Sequence, residues 1–308
     1  KPHVARFNLP RRDFDAVIDG VEMDLVNSRY PTFEALLDEF LVDSPSIAAA
    51  CFGVAGPTDG RSAKLTYLPW SLAASELERH FAIPRVTLAN DFAAAAHGLP
   101  LVEAERIVTL HVGQPVAHAP RVILGAGTGL GVAGLVWQDD GYQVIAGEGG
   151  HIGFAPQTGE QGDLWRWLLD QNGRVTTEDI VSGPGLARIH AFIAGRPYPK
   201  GTSFGAQPEA IGNAALAGSD PLASNALRLW LECYGAFAGD LALHWLARGG
   251  VYLAGGIAAK LIPGTDTSPF IEAFFAKREH RHLALDMPIR LVTDENLGLR
   301  GTLALAAG

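Results

Sequence analysis

Residues 123–136 read ILGAGTGLGVAGLV, with Gly125, Gly127, Gly129 and Gly131 at every second position. Loops of this composition cradle phosphates, and the residues after the last glycine decide the fold. A dinucleotide-binding fingerprint needs a helix directly after the loop, because the helix N-terminus neutralises the pyrophosphate. Here Val132-Ala133-Gly134-Leu135-Val136-Trp137 come next, which are β-like and lack a helix start signal. Glu148 stands where a ribose-binding acid is expected, roughly 20 residues on, but it belongs to a separate motif. The stretch therefore predicts a strand–turn–strand hairpin. At its tip Gly127, Thr128 and Gly129 can present successive N–H groups as an anion nest, with the Thr128 hydroxyl as a further donor. A tight glycine hairpin without a ligand fits the loop equally well.

Outward from the hairpin, the chain alternates strands and helices. Val4 to Leu9 and Ala16 to Val26 read as short strands, and Ile47 to Val54, Val86 to Ala89, Ile107 to His111 and Arg121 to Leu124 as further ones. Over Tyr30 to Phe40, Phe33, Leu36, Leu37, Phe40 and Leu41 share one helical face, with Thr32 as N-cap. Helices are also predicted over Ser71 to Phe81, Asp163 to Asn172, Gly185 to Ile193, Pro208 to Ala217, Pro221 to Ala247 and Leu297 to Ala306. The alternation predicts an α/β layer with at least one parallel strand pair. Leu227, Trp230, Leu231, Tyr234, Phe237 and Leu241 form one broad stripe on the long helix, read as a packing face.

The 308 residues are 48% hydrophobic and 19% charged, enough for two domains or one large α/β unit. A formal charge of −9 argues against nucleic acid or an anionic membrane as main partner. Cys51 and Cys233 lie in apolar segments and read as two buried thiols, neither a disulfide framework nor a metal site. No apolar run reaches membrane-spanning length and Lys1-Pro2-His3 carries no signal peptide, so a cytoplasmic protein is expected.

Four further stretches carry chemistry. LANDFAAAAHG sets Asn90 and Asp91 at the C-terminal end of a strand, the edge where open α/β sheets bind ligands; Asp91 also reads as a helix N-cap. GEGGHIGFAP opens with Glu148 and His151 close together, suited to vicinal hydroxyls, with two glycines between them that permit a tight turn or a close approach. No further His or Cys stands nearby at metal-ligand spacing. TTEDIVSGPG places Glu178 before a Ser-Gly-Pro-Gly turn, where by itself it reads as an acid in a helix's first turn. YLAGGIA adds a third glycine turn at Gly255 and Gly256.

Taken in order, AGTGLG, ANDFAA, GEGGHIGFAP, SGPGL, LAGGI and the closing ENLGLRG resemble the bacterial ATP-dependent glucokinase family of the hexokinase–actin superfamily, from about Ile47 to the C-terminus. The resemblance implies a two-domain, ribonuclease-H-like α/β fold with a cleft between domains. Residues 1–101 with 294–308 would form the small domain and residues 102–293 the large one. It implies ATP-dependent phosphorylation of the glucose 6-hydroxyl, with Asp91 as general base. Asn90, Glu148, His151 and Glu178 would hold the other hydroxyls. Gly127, Thr128 and Gly129 would meet the ATP phosphates, Gly255 and Gly256 would lie under the adenosine, and Mg²⁺ would bridge the phosphates without a protein metal site. Glucose and ATP are then the partners, and a homodimer is compatible. ROK-type sugar kinases carry a Cys-rich zinc motif after a Gly-His pair; here no Cys follows Gly150-His151 until Cys233, which excludes that zinc-containing branch.

Two departures stand out. The family places a strand and an Asp-x-Gly-Gly-Thr phosphate loop before a segment like Val4-Ala5-Arg6-Phe7, where only Lys1-Pro2-His3 stand. The natural chain is expected to carry about 10–20 more N-terminal residues, one strand plus a loop. Relatives also tend to show Thr-Asn before x-x-Trp, against Thr66-Tyr67-Leu68-Pro69-Trp70 here. Tyr67 bears on sugar preference, so a kinase for another hexose such as mannose, or a non-catalytic sugar-binding regulator, are the alternatives.

Overall fold

The computed structural model describes residues 3–9, 13–18, 21–26, 29–42, 46–65, 68–198, 204 and 206–308, with side chains from residue 29 onward. Two compact units emerge: residues 1–106 with 294–308, and residues 107–293. The Thr66-Tyr67 pair lies outside the described residues.

The first unit begins with strands β1 (His3–Leu9), β2 (Asp13–Ile18) and β3 (Val21–Val26). Helix α1 (Phe33–Phe40) starts where expected, because the Thr32 side chain accepts from Ala35 N–H. It buries Phe33, Leu36, Leu37 and Phe40, and Phe33 meets Phe52 edge to face at 5.2 Å. Phe52 belongs to β4 (Ile47–Val54). The helix expected from Ser71 begins later. Ser71–Ala73 pairs antiparallel with Ser62–Lys64, giving β6 and β5, and only then does α2 (Ala74–Phe81) start. A two-strand ladder has satisfied the backbone groups that a first helical turn would have used. Strand β7 (Val86–Asn90) and helix α3 (Asp91–Gly98) come after it. The sheet order is β3-β2-β1-β4-β7, antiparallel through β1 and parallel from β1 to β7.

In the second unit β8 (Ile107–His111) precedes the hairpin, which forms as read: β9 (Arg121–Ala126) and β10 (Leu130–Gln138) pair antiparallel with Leu130 opposite Ala126. β11 (Gly141–Gly147), which the sequence did not announce, continues the meander. Helix α4 (Gly159–Asn172) starts four residues earlier than expected, since Thr158 accepts from Gln161 N–H while Gln161 reaches back to Gln157 N–H. Then come α5 (Gly183–Ile193), α6 (Gln207–Leu216) and α7 (Pro221–Trp245). The whole apolar stripe of α7 is buried, against a core that includes Val122, Leu124 and Leu253. β12 (Gly250–Ala254), α8 (Gly256–Leu261), α9 (Ser268–Phe275), α10 (Arg281–Asp286) and β13 (Ile289–Val292) complete the unit. Its sheet runs β11-β10-β9-β12-β13-β8, with β9, β12 and β13 parallel. Both sheets thus join an antiparallel meander to a parallel run, and neither closes into a barrel.

The chain then returns to the first unit as α11 (Leu297–Ala307), lying across α3. Cys51 and Cys233 are free and buried, and burial pushes the Cys51 thiol up to about 12. Among the described residues no helix is long and apolar enough to cross a membrane.

Candidate active site

Of the ten residues singled out from the sequence, Asn90 and Asp91 belong to the first unit. Asn90 ends β7 and is itself the N-cap of α3, its Oδ1 accepting from Phe92 and Ala93 N–H at 3.0 Å each. The cap reading of Asp91 is thereby corrected: Asp91 is the first helical residue, and its Oδ1 accepts from Phe92 N–H at 2.8 Å. Asn90 also donates from Nδ2 to Gly56 carbonyl at 3.3 Å, so capping and anchoring use both ends of its amide. Its second Nδ2 hydrogen is not used in these bonds.

The other eight residues converge in the second unit. After β11, residues 149–151 make a single 3₁₀ turn that lies flat on β10. A Cβ on Gly150 would stand 2.0 Å from Leu130 carbonyl oxygen, so the glycines serve approach to the sheet. Residues 150–154 are then zipped to residues 175–178: Glu178 N–H donates to Gly150 carbonyl at 2.9 Å, Thr177 N–H to Ile152 at 3.0 Å, and Phe154 N–H to Val175 at 3.1 Å. That zipper brings Glu148, His151 and Glu178 onto one patch. His151 Nδ1 and Glu148 Oε2 are 3.9 Å apart, and both side chains are more than half exposed. Arg174 steadies the His151 carbonyl from 3.2 Å. Glu178 is not in a helix, contrary to its isolated reading; α5 starts later, where Ser182 caps Gly185 N–H at 3.0 Å.

The glycine turn adjoins this patch. Gly127 N–H donates to Gly129 carbonyl at 2.8 Å, closing the turn, so the anion nest loses one of its three expected donors. Open space stands where a Gly127 side chain would project, and Thr128 is exposed. Gly255 caps α8 at φ +90°, with a hypothetical Cβ 2.4 Å from Ala126 carbonyl, a position open in practice to glycine alone. Because β9 and β12 are neighbours with Gly125 opposite Ala254, Gly127–Gly129 and Gly255–Gly256 leave the sheet side by side. They emerge at the C-terminal ends of the parallel strands, where α/β sheets take ligands.

Sequence reading missed two supporting donors. Trp230 Nε1–H bonds Ser182 carbonyl at 3.2 Å, and Tyr234 hydroxyl bonds Leu124 carbonyl at 3.3 Å, both fully buried. They lie inside an apolar stripe, which conceals the polar tips of aromatic residues. A groove of about 410 Å³ between β10, β11 and α7 is lined by Ile145, Ile152, Phe237 and Trp245, and includes none of the ten site residues.

Known proteins resemble this chain over nearly its whole length. The family model described as Glucokinase matches residues 4–308. A glucokinase of Nostoc sp. PCC 7120 is 38% identical over 301 residues, covering 90% of this chain and 88% of its own length. One from Mesorhizobium japonicum is 34% identical over 308 residues, covering 98% and 88%. The crystal structure of a glucokinase from an Antarctic psychrotroph aligns with a TM-score of 0.83 at 27% identity, covering 100% of this chain and 99% of that one. A Balamuthia mandrillaris glucokinase crystallised with glucose shares the fold, with a TM-score of 0.85 at 20% identity and coverage of 100% and 94%. The fold is therefore the hexokinase-type α/β fold, and the chain belongs to the glucokinase family.

Proposed function

We infer that this chain phosphorylates D-glucose on its 6-hydroxyl with ATP as donor. The observation that carries the reading is the patch of Glu148, His151 and Glu178 beside the β9–β10 glycine turn, in a chain of this family. Hydroxyl recognition needs fixed acceptors, and two carboxylates with an imidazole supply them within one zippered segment. Asn90 adds an amide hydrogen. Asp91 takes the proton of the attacking hydroxyl, so the oxygen that bonds to the γ-phosphorus gains nucleophilicity as the ATP β–γ bridge breaks.

The open face at Gly127, with Thr128 and Gly129, suits phosphate oxygens, and Gly255–Gly256 suit the adenosine. Mg²⁺ suits this site as a companion of the phosphates, since it keeps few protein ligands when nucleotide oxygens are offered. Among the described residues no three His, Cys, Asp or Glu side chains are grouped as a metal cage. Bound there, Mg²⁺ supplies neutralisation of charge that this acidic chain does not. A cytoplasmic location follows from the donor, and a homodimer would leave each chain its own full set of these residues. Neither a mannose kinase nor a non-catalytic regulator is favoured by the relatives.

The test is Asp91→Asn. It keeps the shape and removes the proton acceptor, so kcat should fall by about 10²–10⁴ while glucose affinity changes little. Near-normal turnover would reduce Asp91 to a helix residue without chemistry.

A further inference from the structure

The Glu178 carboxylate touches the phosphate turn directly. Its Oε2 accepts from Leu130 N–H at 2.8 Å, and Leu130 is the residue that follows Gly129. Leu130 is 5% exposed, so this amide is shielded from water and the bond is charge-assisted. The other end of the turn is held from the same stretch of chain, by Gly183 N–H on the Gly127 carbonyl at 2.9 Å. Residues 178–183 thus bracket the turn on both sides. The bracket is itself anchored: Glu178 N–H on Gly150 carbonyl, Ser182 Oγ on Glu178 carbonyl at 2.7 Å, and Trp230 on Ser182 carbonyl.

A Gly-Thr-Gly tip has almost no side-chain packing to hold it, so beyond the Gly127–Gly129 bond that closes it, its place depends on these two clamps. One clamp joins backbone to backbone. The other is a single side chain. We propose that Glu178 is a positioning residue for the nucleotide, fixing the C-terminal end of the phosphate turn, in addition to its contact with the sugar. The proposal rests on the reading of the Gly127–Gly129 turn as the phosphate site. A carboxylate offers about four lone-pair positions, so one bond to Leu130 N–H is compatible with another to a hydroxyl. Glucose that orders Glu178 then also orders the turn, and by linkage each ligand tightens the other.

The test is calorimetric titration, without sugar, of a non-hydrolysable ATP analogue with Mg²⁺ into the wild type, Glu178→Ala, Glu178→Gln and Glu148→Gln. Losing a charge-assisted bond to a buried amide should weaken nucleotide binding about tenfold in Glu178→Ala. Glu178→Gln retains a carbonyl acceptor for Leu130 and should recover much of the loss. Glu148→Gln should bind nucleotide as the wild type does. Amide exchange at residues 128–130 should speed up in Glu178→Ala and return towards the wild-type rate in Glu178→Gln, which a global loss of stability would not reproduce. If Glu178→Ala folds poorly, the same comparison runs between Glu178→Gln and Glu178→Asp, whose shorter side chain cannot reach Leu130. Wild-type nucleotide affinity and unchanged exchange in the Ala or Asp variant would overturn the proposal and leave the glucokinase reading intact. A wild type that binds no nucleotide would overturn the phosphate-site reading itself.

Discussion

Glu78 and Asp91 are both carboxylates on helices of the first unit, and their surroundings give them different work. Glu78 receives both Arg61 Nη atoms at 2.8 Å and the Val86 N–H at 2.9 Å. The Arg61 bonds, reinforced by the Val86 amide, hold its carboxyl down to about 2. A depressed folded-state value stabilises the fold fully above the ordinary carboxylate range near ~4.3, and that gain is lost as pH falls towards 2. Glu78→Gln should therefore flatten the loss of stability between about pH 5 and pH 2, read from urea midpoints across that range. An unchanged slope would show that solvent screens the pair entirely. At Asp91 the sequence left two readings side by side, an acid at the ligand edge of the sheet and a helix N-cap. The second belongs to Asn90, whose side chain caps as well as that of an Asp. The backbone decides: Asn90 holds the extended ψ of 139° that a cap requires, and Asp91 is already helical.

Among the elements, legibility followed the strength of local signals. The β9–β10 hairpin, the capped α1 and the stripe of α7 carry period and punctuation that survive in any context. β11 did not stand out, since GYQVIAG comes after its neighbour with only two residues between and is bounded by glycines of its own. The late start of α2 depends on a partner strand nine residues upstream, which no local pattern encodes. The α3–α11 crossing is likewise set by approach at a distance in sequence. A Cβ on Gly301 would lie 1.6 Å from Ala94 carbonyl oxygen, backbone that cannot swing aside. Gly301→Ala should destabilise by about 3 kcal/mol. In α4, by contrast, a Cβ on Gly162 meets nothing within 4 Å, so Gly162→Ala should stabilise by about 0.5–1 kcal/mol. Paired denaturation curves check both signs; equal effects would remove the crossing as the cause.

Across the whole molecule, each unit joins an antiparallel meander to a parallel run, and the candidate residues within each lie at strand ends and turns. The types and order of those residues were readable, because glycine turns, an Asn-Asp pair and a Glu-Gly-Gly-His run keep their spacing along the chain. The links between them were not. Leu130 to Glu178 and Gly127 to Gly183 join residues 48 and 56 positions apart, through a carboxylate and a backbone pair that local sequence cannot match. The most direct test is product analysis after mixing the purified protein with ATP, Mg²⁺ and D-glucose. The account predicts ADP and glucose 6-phosphate in equal amounts, with ADP formation dependent on glucose. Glucose binding without ADP, or phosphate on another hydroxyl, would contradict it.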